Sequence, residues 1–170
     1  MTTKDFSIKW LAYALALLPV WFAQAFLVNR FPLFGVIPSL MPLAAVAVAV
    51  LEGASAGAGF GLAVGALFDT LEPGSAGWMT LALTLVGLCA GLLAQYVLRQ
   101  DLLGCLVCSL LALAALDAGR ILAGLLTGRA GLAAMAAVAG REIAWSLCFV
   151  PVVYLLFRWV FRRVPKATVL

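Results

Sequence analysis

Histidine is absent from this sequence, and charged residues are scarce. Charged side chains make up 11% of the residues and hydrophobic ones 66%, and the mean hydropathy is +1.17. A water-soluble domain carries roughly 25% charged residues, because its surface must interact with water. The composition excludes that class. It predicts an integral membrane protein, whose apolar side chains can face lipid.

Residue patterns that carry catalytic chemistry are also missing. The sequence contains no phosphate-binding glycine loop, no nucleic-acid motif and no histidine that could serve as a metal ligand or a base. Cys105 and Cys108 form a C-x-x-C motif, which in other settings carries redox or metal chemistry. Without histidine and without a second such motif, we interpret both as buried apolar side chains. We therefore expect no enzyme, no cofactor and no metal.

Apolar stretches long enough for membrane helices occupy most of the chain, which we treat as a single domain over 1–170. A spanning helix needs about 20 mostly apolar residues. The predicted fold is an all-α bundle of about six transmembrane helices, over 8–28, 36–51, 54–71, 75–98, 102–126 and 136–160. The second contains Pro38 and Pro42 and is expected to be tilted or irregular, covered by protein. The first could be a secretory signal ending at Ala23-Gln24-Ala25, but we expect a retained helix.

Basic residues predict the orientation of this bundle. With six spans, both termini and the turns near 52 and 100 lie on one side of the membrane. That side carries most of the basic residues: Lys4, Lys9, Arg99, Arg158, Arg162, Arg163 and Lys166. The other side carries Arg30 and Arg129. Positively charged loops stay in the cytoplasm, so both termini are expected there. The basic C-terminus then explains the net charge of +4 as an anchor to anionic lipid rather than to nucleic acid.

Glycine recurs at every fourth residue of the third predicted helix. The positions are Gly53, Gly57, Gly61 and Gly65, and Gly87 and Gly91 form a shorter series on the next helix. Residues four apart form a slowly winding ridge on an α-helix. Small residues let membrane helices approach closely. We predict a helix-packing or partner interface here, and a ligand-facing role is the alternative.

Ionisable groups recur within the outer half of three predicted helices. Asp69 follows the glycine series, Asp117 and Arg120 lie three residues apart on the fifth helix, and Arg141 lies on the sixth. Charges inside a membrane are costly and mark interhelical pairs or functional sites. We predict that these four form an intramembrane polar network. Three further groups are expected among the lipid headgroups: Glu72, Arg129 and Glu142.

The stretch from Gly57 to Asp69, GAGFGLAVGALFD, is followed by a Pro-Gly turn and Gly77. It resembles the glycine-rich helix of the rod-shape-determining protein MreD family, of the form G-x-x-x-G-F-x-x-G-L-x-x-D. The matching residues are Gly57, Phe60, Gly65 and Asp69, with Gly61-Leu62 and Leu67-Phe68 in approximate register. The resemblance is strongest over 36–98.

This resemblance implies a function that composition cannot. MreD proteins are non-enzymatic inner-membrane partners of MreC, in a complex with MreB, RodA and a class B penicillin-binding protein that builds side-wall peptidoglycan. The family is similar in fold to the substrate-binding subunits of energy-coupling-factor vitamin transporters, which supply the alternative function. Such a subunit would bind a small ligand in the outer half of the bundle. It would contact its energising partner through small residues on its first helix, as Ala12 and Ala16 could.

Overall fold

Helices account for nearly all of the described chain. A computed structural model describes residues 3–28, 38–71, 77–97, 101–126, 128 and 132–163. Within those residues there is no strand, which confirms the all-helical class. The elements are α1 (Thr3–Phe22), π1 (a π-helical segment, Ala23–Val28), α2 (Leu40–Glu52), α3 (Ala54–Leu71), α4 (Trp78–Tyr96), α5 (Leu102–Leu126), α6 (Leu132–Leu147) and α7 (Val150–Arg163).

Several of these helices are long and apolar enough to cross a membrane. Three qualify by length and composition: Ile8–Phe26, Trp78–Tyr96 and Leu102–Leu126. The pair Met135–Leu147 and Val150–Arg163 adds a fourth if it is counted as one bent span. Large apolar side chains on these helices are exposed and are suited to lipid. The chain is therefore a multi-pass membrane protein.

A proline accounts for the break in the last predicted helix, and the first predicted helix ends in a π-helical segment. The sequence predicts one helix over 136–160, but the structure breaks it at Cys148 and Phe149 and bends it by 44°. Pro151 lies in the first turn of α7, where its missing N–H and fixed φ are tolerated only at a helix start. Pro19 lies inside α1, just before π1. Its missing N–H removes the hydrogen bond to the Leu15 carbonyl, in the turn before it.

The centre of the bundle is α2, a helix of 13 residues. Its length is about 20 Å, shorter than the roughly 30 Å hydrocarbon core of a bilayer. Every residue from Leu40 to Leu51 is buried, and α1, α3, α4, α5 and α7 surround the helix. Protein contacts, rather than lipid, therefore cover it. Within Leu40–Glu52 the helix is regular, since Pro42 falls in the first turn and Pro38 precedes the helix; residues 36 and 37 of the predicted span lie outside the described residues.

Among the described helices, α3 and α4 make the most extensive contact. A Cβ added at Gly61 would lie 2.3 Å from the carbonyl oxygen of Leu83, and one at Gly87 would lie 2.2 Å from that of Gly57. Gly65 and Gly91 likewise face backbone atoms of the opposite helix. The two glycine series face each other, and backbone meets backbone without intervening side chains. Such an approach maximises dispersion contacts where lipid removes the hydrophobic driving force.

Gly53 differs from the other glycines of the series, because it joins α2 to α3 and lies outside both helices. Its φ of 97° belongs to the left-handed region that favours glycine. The one-residue connection reverses the chain, so that α3 returns alongside α2. An added Cβ would also collide with the Gln95 side-chain nitrogen, at 2.2 Å.

Two alanine substitutions on α3, one at the contact with α4 and one away from it, test this packing. Gly61→Ala should lower the thermal unfolding midpoint in detergent, because its methyl group would displace the α4 backbone; overpacking typically costs about 1–3 kcal/mol. Gly59→Ala is the control, because its Cβ would meet only Trp10, at 4.0 Å. It should be neutral or slightly stabilising, since alanine favours helix over glycine by about 1 kcal/mol. Equal midpoints for the two variants would contradict the packing assigned to Gly61.

A candidate binding cavity between the fifth and sixth helices

A guanidinium lies between two carboxylates where α5 meets α6. Arg120 Nη1 is 3.5 Å from Asp117 Oδ1 and 3.4 Å from Glu142 Oε1. The first pair follows from the i, i+3 spacing on α5, which places both side chains on one helix face. The second pair joins α5 to α6. The side chains of Asp117 and Glu142 are 9% and 14% exposed, whereas that of Arg120 is 41% exposed.

The start of α2 extends this polar cluster. The Ser39 hydroxyl donates a hydrogen bond to Glu142, and the Ser39 N–H donates to the Ser146 hydroxyl oxygen at 3.1 Å. The Leu40 N–H donates to the Gln24 side-chain oxygen at 2.7 Å. The first N–H groups of a helix have no partner within that helix. Side chains from α6 and π1 supply partners for two of these groups, the N–H groups of Ser39 and Leu40.

A cavity of about 360 Å³ lies against these charges. Its polar lining is Asp117, Arg120 and Glu142, and its apolar lining is Ile121, Met135, Val138 and Ala139. The volume falls in the range of small-molecule sites, about 300–1,000 Å³. Val138 is 50% exposed, so this wall reaches the outer surface of α6. The cavity therefore combines a charged end with an apolar wall at the surface of the bundle.

The four residues predicted to form one network are divided in the structure. Asp117 and Arg120 pair with each other, and Glu142, which was expected among the headgroups, joins them. Arg141 is exposed on α6, away from the lining of the cavity. Sequence spacing located the Asp117–Arg120 pair, but partners on other helices depend on helix rotation. Glu72 and Arg129 lie outside the described residues.

Asp69, the fourth of these residues, lies at the junction of α3 and α4. Its carboxylate accepts hydrogen bonds from the Thr80 N–H, at 3.0 Å, and from the Thr80 hydroxyl. Gly77 precedes α4 and has no side chain to cap it. Asp69 performs that role from the neighbouring helix, and a carboxylate is favourable at the positive end of the helix dipole. The last residue of the glycine-rich motif thus closes the α3–α4 pair.

A second buried ion pair, which sequence reasoning missed, links α1 to the end of α2. The Lys9 ammonium binds the Glu52 carboxylate, and the Tyr13 hydroxyl donates to Glu52 at 2.7 Å. Both charged side chains are 11% exposed. The Tyr13 ring also packs on Phe60 and Phe157, with centroids 6.3 and 6.2 Å away. One signal was available, because the predicted alternation of helices places Lys9 and Glu52 on the same side of the membrane.

The C-x-x-C residues face the interior of the helix bundle. Cys105 and Cys108 are each 1% exposed. The Cys108 thiol points at the Ala90 carbonyl oxygen of α4, at 3.8 Å, and Cys105 lies beside Ser109. Their thiols are free. In this setting both are small buried packing residues of α5, and Cys108 packs against α4.

No family model, characterised protein or solved structure matches this chain. The cavity must therefore be interpreted from its own chemistry. A guanidinium binds phosphate or carboxylate groups, and carboxylates accept hydrogen bonds from ammonium groups. Within the described residues, no cluster of three or more acidic or cysteine side chains could hold a metal ion. The lining is thus suited to recognising a polar group by charge and hydrogen bonds.

A double-mutant cycle tests whether the Lys9–Glu52 pair stabilises the protein. Lys9→Met and Glu52→Gln should each lower the unfolding free energy, by about 3 kcal/mol, because each leaves the remaining charge buried without its partner. The double variant should cost much less than the sum, because neither charge remains. Denaturant unfolding in micelles measures all three.

The matched control for this cycle is Asp101→Asn, at an exposed carboxylate before α5. That change should stay within about 0.5 kcal/mol of the wild type. Strictly additive costs for the two single substitutions would show that Lys9 and Glu52 do not interact energetically.

Proposed function

We propose that this chain is a non-enzymatic, MreD-like scaffold of the bacterial inner membrane. In this role it binds MreC and supports the complex of MreB, RodA and a class B penicillin-binding protein that builds side-wall peptidoglycan. One observation carries the proposal. The motif behind the resemblance, Gly57 to Asp69, packs along α4 through its glycines and closes on Thr80 through its aspartate. The motif residues therefore serve to build a tightly packed helix pair, as a scaffold requires.

The proposed topology has six membrane passes with both termini in the cytoplasm. Contacts between helix ends support the alternation: Lys9 near the start of α1 meets Glu52 at the end of α2, and Gln24 in π1 meets Leu40 at the start of α2. Asp69 near the end of α3 meets Thr80 near the start of α4. In this topology α2 is a short, buried pass and α6–α7 a bent one. The basic residues at the end of α7 supply the cytoplasmic bias.

The proposed mechanism is allosteric support of a partner. A scaffold shifts the equilibrium between two states of its partner only if it binds one state more tightly than the other. A closely packed α3–α4 pair contributes to this by preorganisation, since little conformational freedom is lost on binding. The energy of association is then available for discriminating between the states of the partner.

A second candidate function is supported by the cavity between α5 and α6. A substrate-binding subunit of an energy-coupling-factor transporter would hold a small ligand within its helix bundle, and the volume of about 360 Å³ is large enough for one. The first-helix residues expected to meet an energising partner have mixed exposure. Ala16 is 7% exposed, whereas Ala12 is half-buried. The mixed exposure of these two residues favours the scaffold function over the transporter subunit.

Purification from native membranes in mild detergent tests the two functions against each other. For the scaffold, we expect mass spectrometry of the tagged protein to identify MreC and cell-wall synthases, without a stoichiometric metabolite. An unrelated multi-pass protein with the same tag, expressed at the same level, controls for non-specific recovery. Co-purification of ATPase subunits with a tightly bound small metabolite would overturn the scaffold proposal in favour of the transporter subunit.

A further inference from the structure

Asp117 lines the cavity and carries a buried acceptor atom. Its side chain is 9% exposed, and its Oδ1 lies 3.5 Å from Arg120. Its other oxygen, Oδ2, is buried and has no hydrogen-bond partner among the described residues. A buried acceptor that loses water without gaining a donor is costly, so such atoms commonly mark a missing partner. A ligand in the cavity that draws the Asp117 carboxylate toward it, and brings a donor to Oδ2, would remove this cost.

The charges around Asp117 indicate which donor fits. Asp117 and Glu142 supply two carboxylates, and Arg120 supplies the only guanidinium among the described residues that line the cavity. Glu142 also accepts the hydroxyl of Ser39. Ionised, this set carries one negative charge in excess, which a cationic donor would balance. A primary ammonium group provides both the charge and the hydrogen bonds.

Arg120 indicates an anionic group beside that ammonium. Its Nη1 is 3.4–3.5 Å from the two carboxylates, longer than the roughly 2.7–2.9 Å of a strong charge-assisted hydrogen bond. Its side chain is 41% exposed, so donors remain accessible. A guanidinium with free donors binds phosphate readily. The guanidinium and the neighbouring carboxylates together match a zwitterion, with its phosphate on the guanidinium and its ammonium on the carboxylates.

The apolar wall indicates that this zwitterion comes from the membrane. Ile121, Met135 and Val138 line the cavity, and α6 is exposed along most of its length. Arg120 lies six residues before Leu126, the last residue of α5, or about 9 Å along the helix. A long basic side chain can reach the headgroup region from that depth. A polar head could therefore enter here while its acyl chains remain along the wall.

We propose that the cavity between α5 and α6 binds the headgroup of an aminophospholipid, with its ammonium on Asp117 and its phosphate on Arg120. On binding, the Asp117 carboxylate turns toward the cavity, so that the ammonium supplies the hydrogen bond that Oδ2 lacks, and the acyl chains lie against Val138 and Met135. This site is independent of the scaffold proposal. It uses α5 and α6, whereas the glycine motif lies on α3.

Lipid titration of the delipidated full-length protein tests the site. Phosphatidylethanolamine, phosphatidylcholine and phosphatidylglycerol with identical acyl chains are added in neutral detergent, and bound lipid is measured by native mass spectrometry. We expect phosphatidylethanolamine to bind about tenfold more tightly than the other two, the ratio expected from one charge-assisted hydrogen bond. The quaternary ammonium of phosphatidylcholine has no N–H donor, and phosphatidylglycerol has no cation.

Two variants separate the roles of the charges. Asp117→Asn retains size and shape and should remove the preference for phosphatidylethanolamine. Arg120→Gln should weaken binding of all three phospholipids while the preference remains. Asp101→Asn is the matched control, a carboxylate before the same helix that is exposed and far from the cavity, and it should bind lipid as the wild type does. Size-exclusion profiles establish that each variant remains folded.

Three results would overturn the proposal. The first is equal binding of the three lipids to the wild type. The second is a preference for phosphatidylethanolamine that survives Asp117→Asn, because the ammonium would then be recognised elsewhere. The third is binding of free phosphoethanolamine as tightly as the lipid, since the ligand would then be a soluble zwitterion rather than a membrane component. Loss or recovery of MreC in co-purification affects none of these readouts, so the two proposals fail separately.

Discussion

The contact between α3 and α4 is the constraint on which the rest of the bundle depends. Glycine at Gly57, Gly61 and Gly87 removes the side chains that would hold the two backbones apart. Water cannot drive apolar helices together inside a membrane, so this close approach supplies attraction that side-chain burial would supply in a soluble protein. Asp69 fixes the same pair at its end by binding Thr80. Together, α3 and α4 form one wall against which α2 packs.

The burial of α2 creates a second requirement, because a short helix deep in a bundle exposes its terminal groups to a medium without water. At its start, the N–H groups of Ser39 and Leu40 bond to Ser146 and Gln24. At its end, Glu52 binds Lys9. Unsatisfied polar groups would cost several kcal/mol each in hydrocarbon. Side chains of the surrounding helices therefore allow so short a helix to occupy the centre of the bundle.

The two ends of the bundle use charge differently. Lys9 and Glu52 form a pair with equal and opposite charges, supported by Tyr13, and so serve to join helices. The opposite end sets two carboxylates against Arg120 beside an open cavity. A balanced pair needs nothing further, whereas an excess carboxylate with a buried free oxygen can recruit a ligand. Charge balance, rather than the presence of charge, thus separates the structural cluster from the candidate site.

The sequence alone determined the membrane class, the all-helical composition and the approximate bounds of most helices, because these follow from the hydropathy and length of local segments. It also placed Asp117 beside Arg120, since i, i+3 spacing is local. Only the tertiary structure decided that Glu142 completes this cluster, that Asp69 caps α4 and that α6 and α7 are separate helices. These features depend on how each helix is rotated and which neighbour it meets. Such choices arise from the summed packing of the whole bundle, which no local pattern encodes.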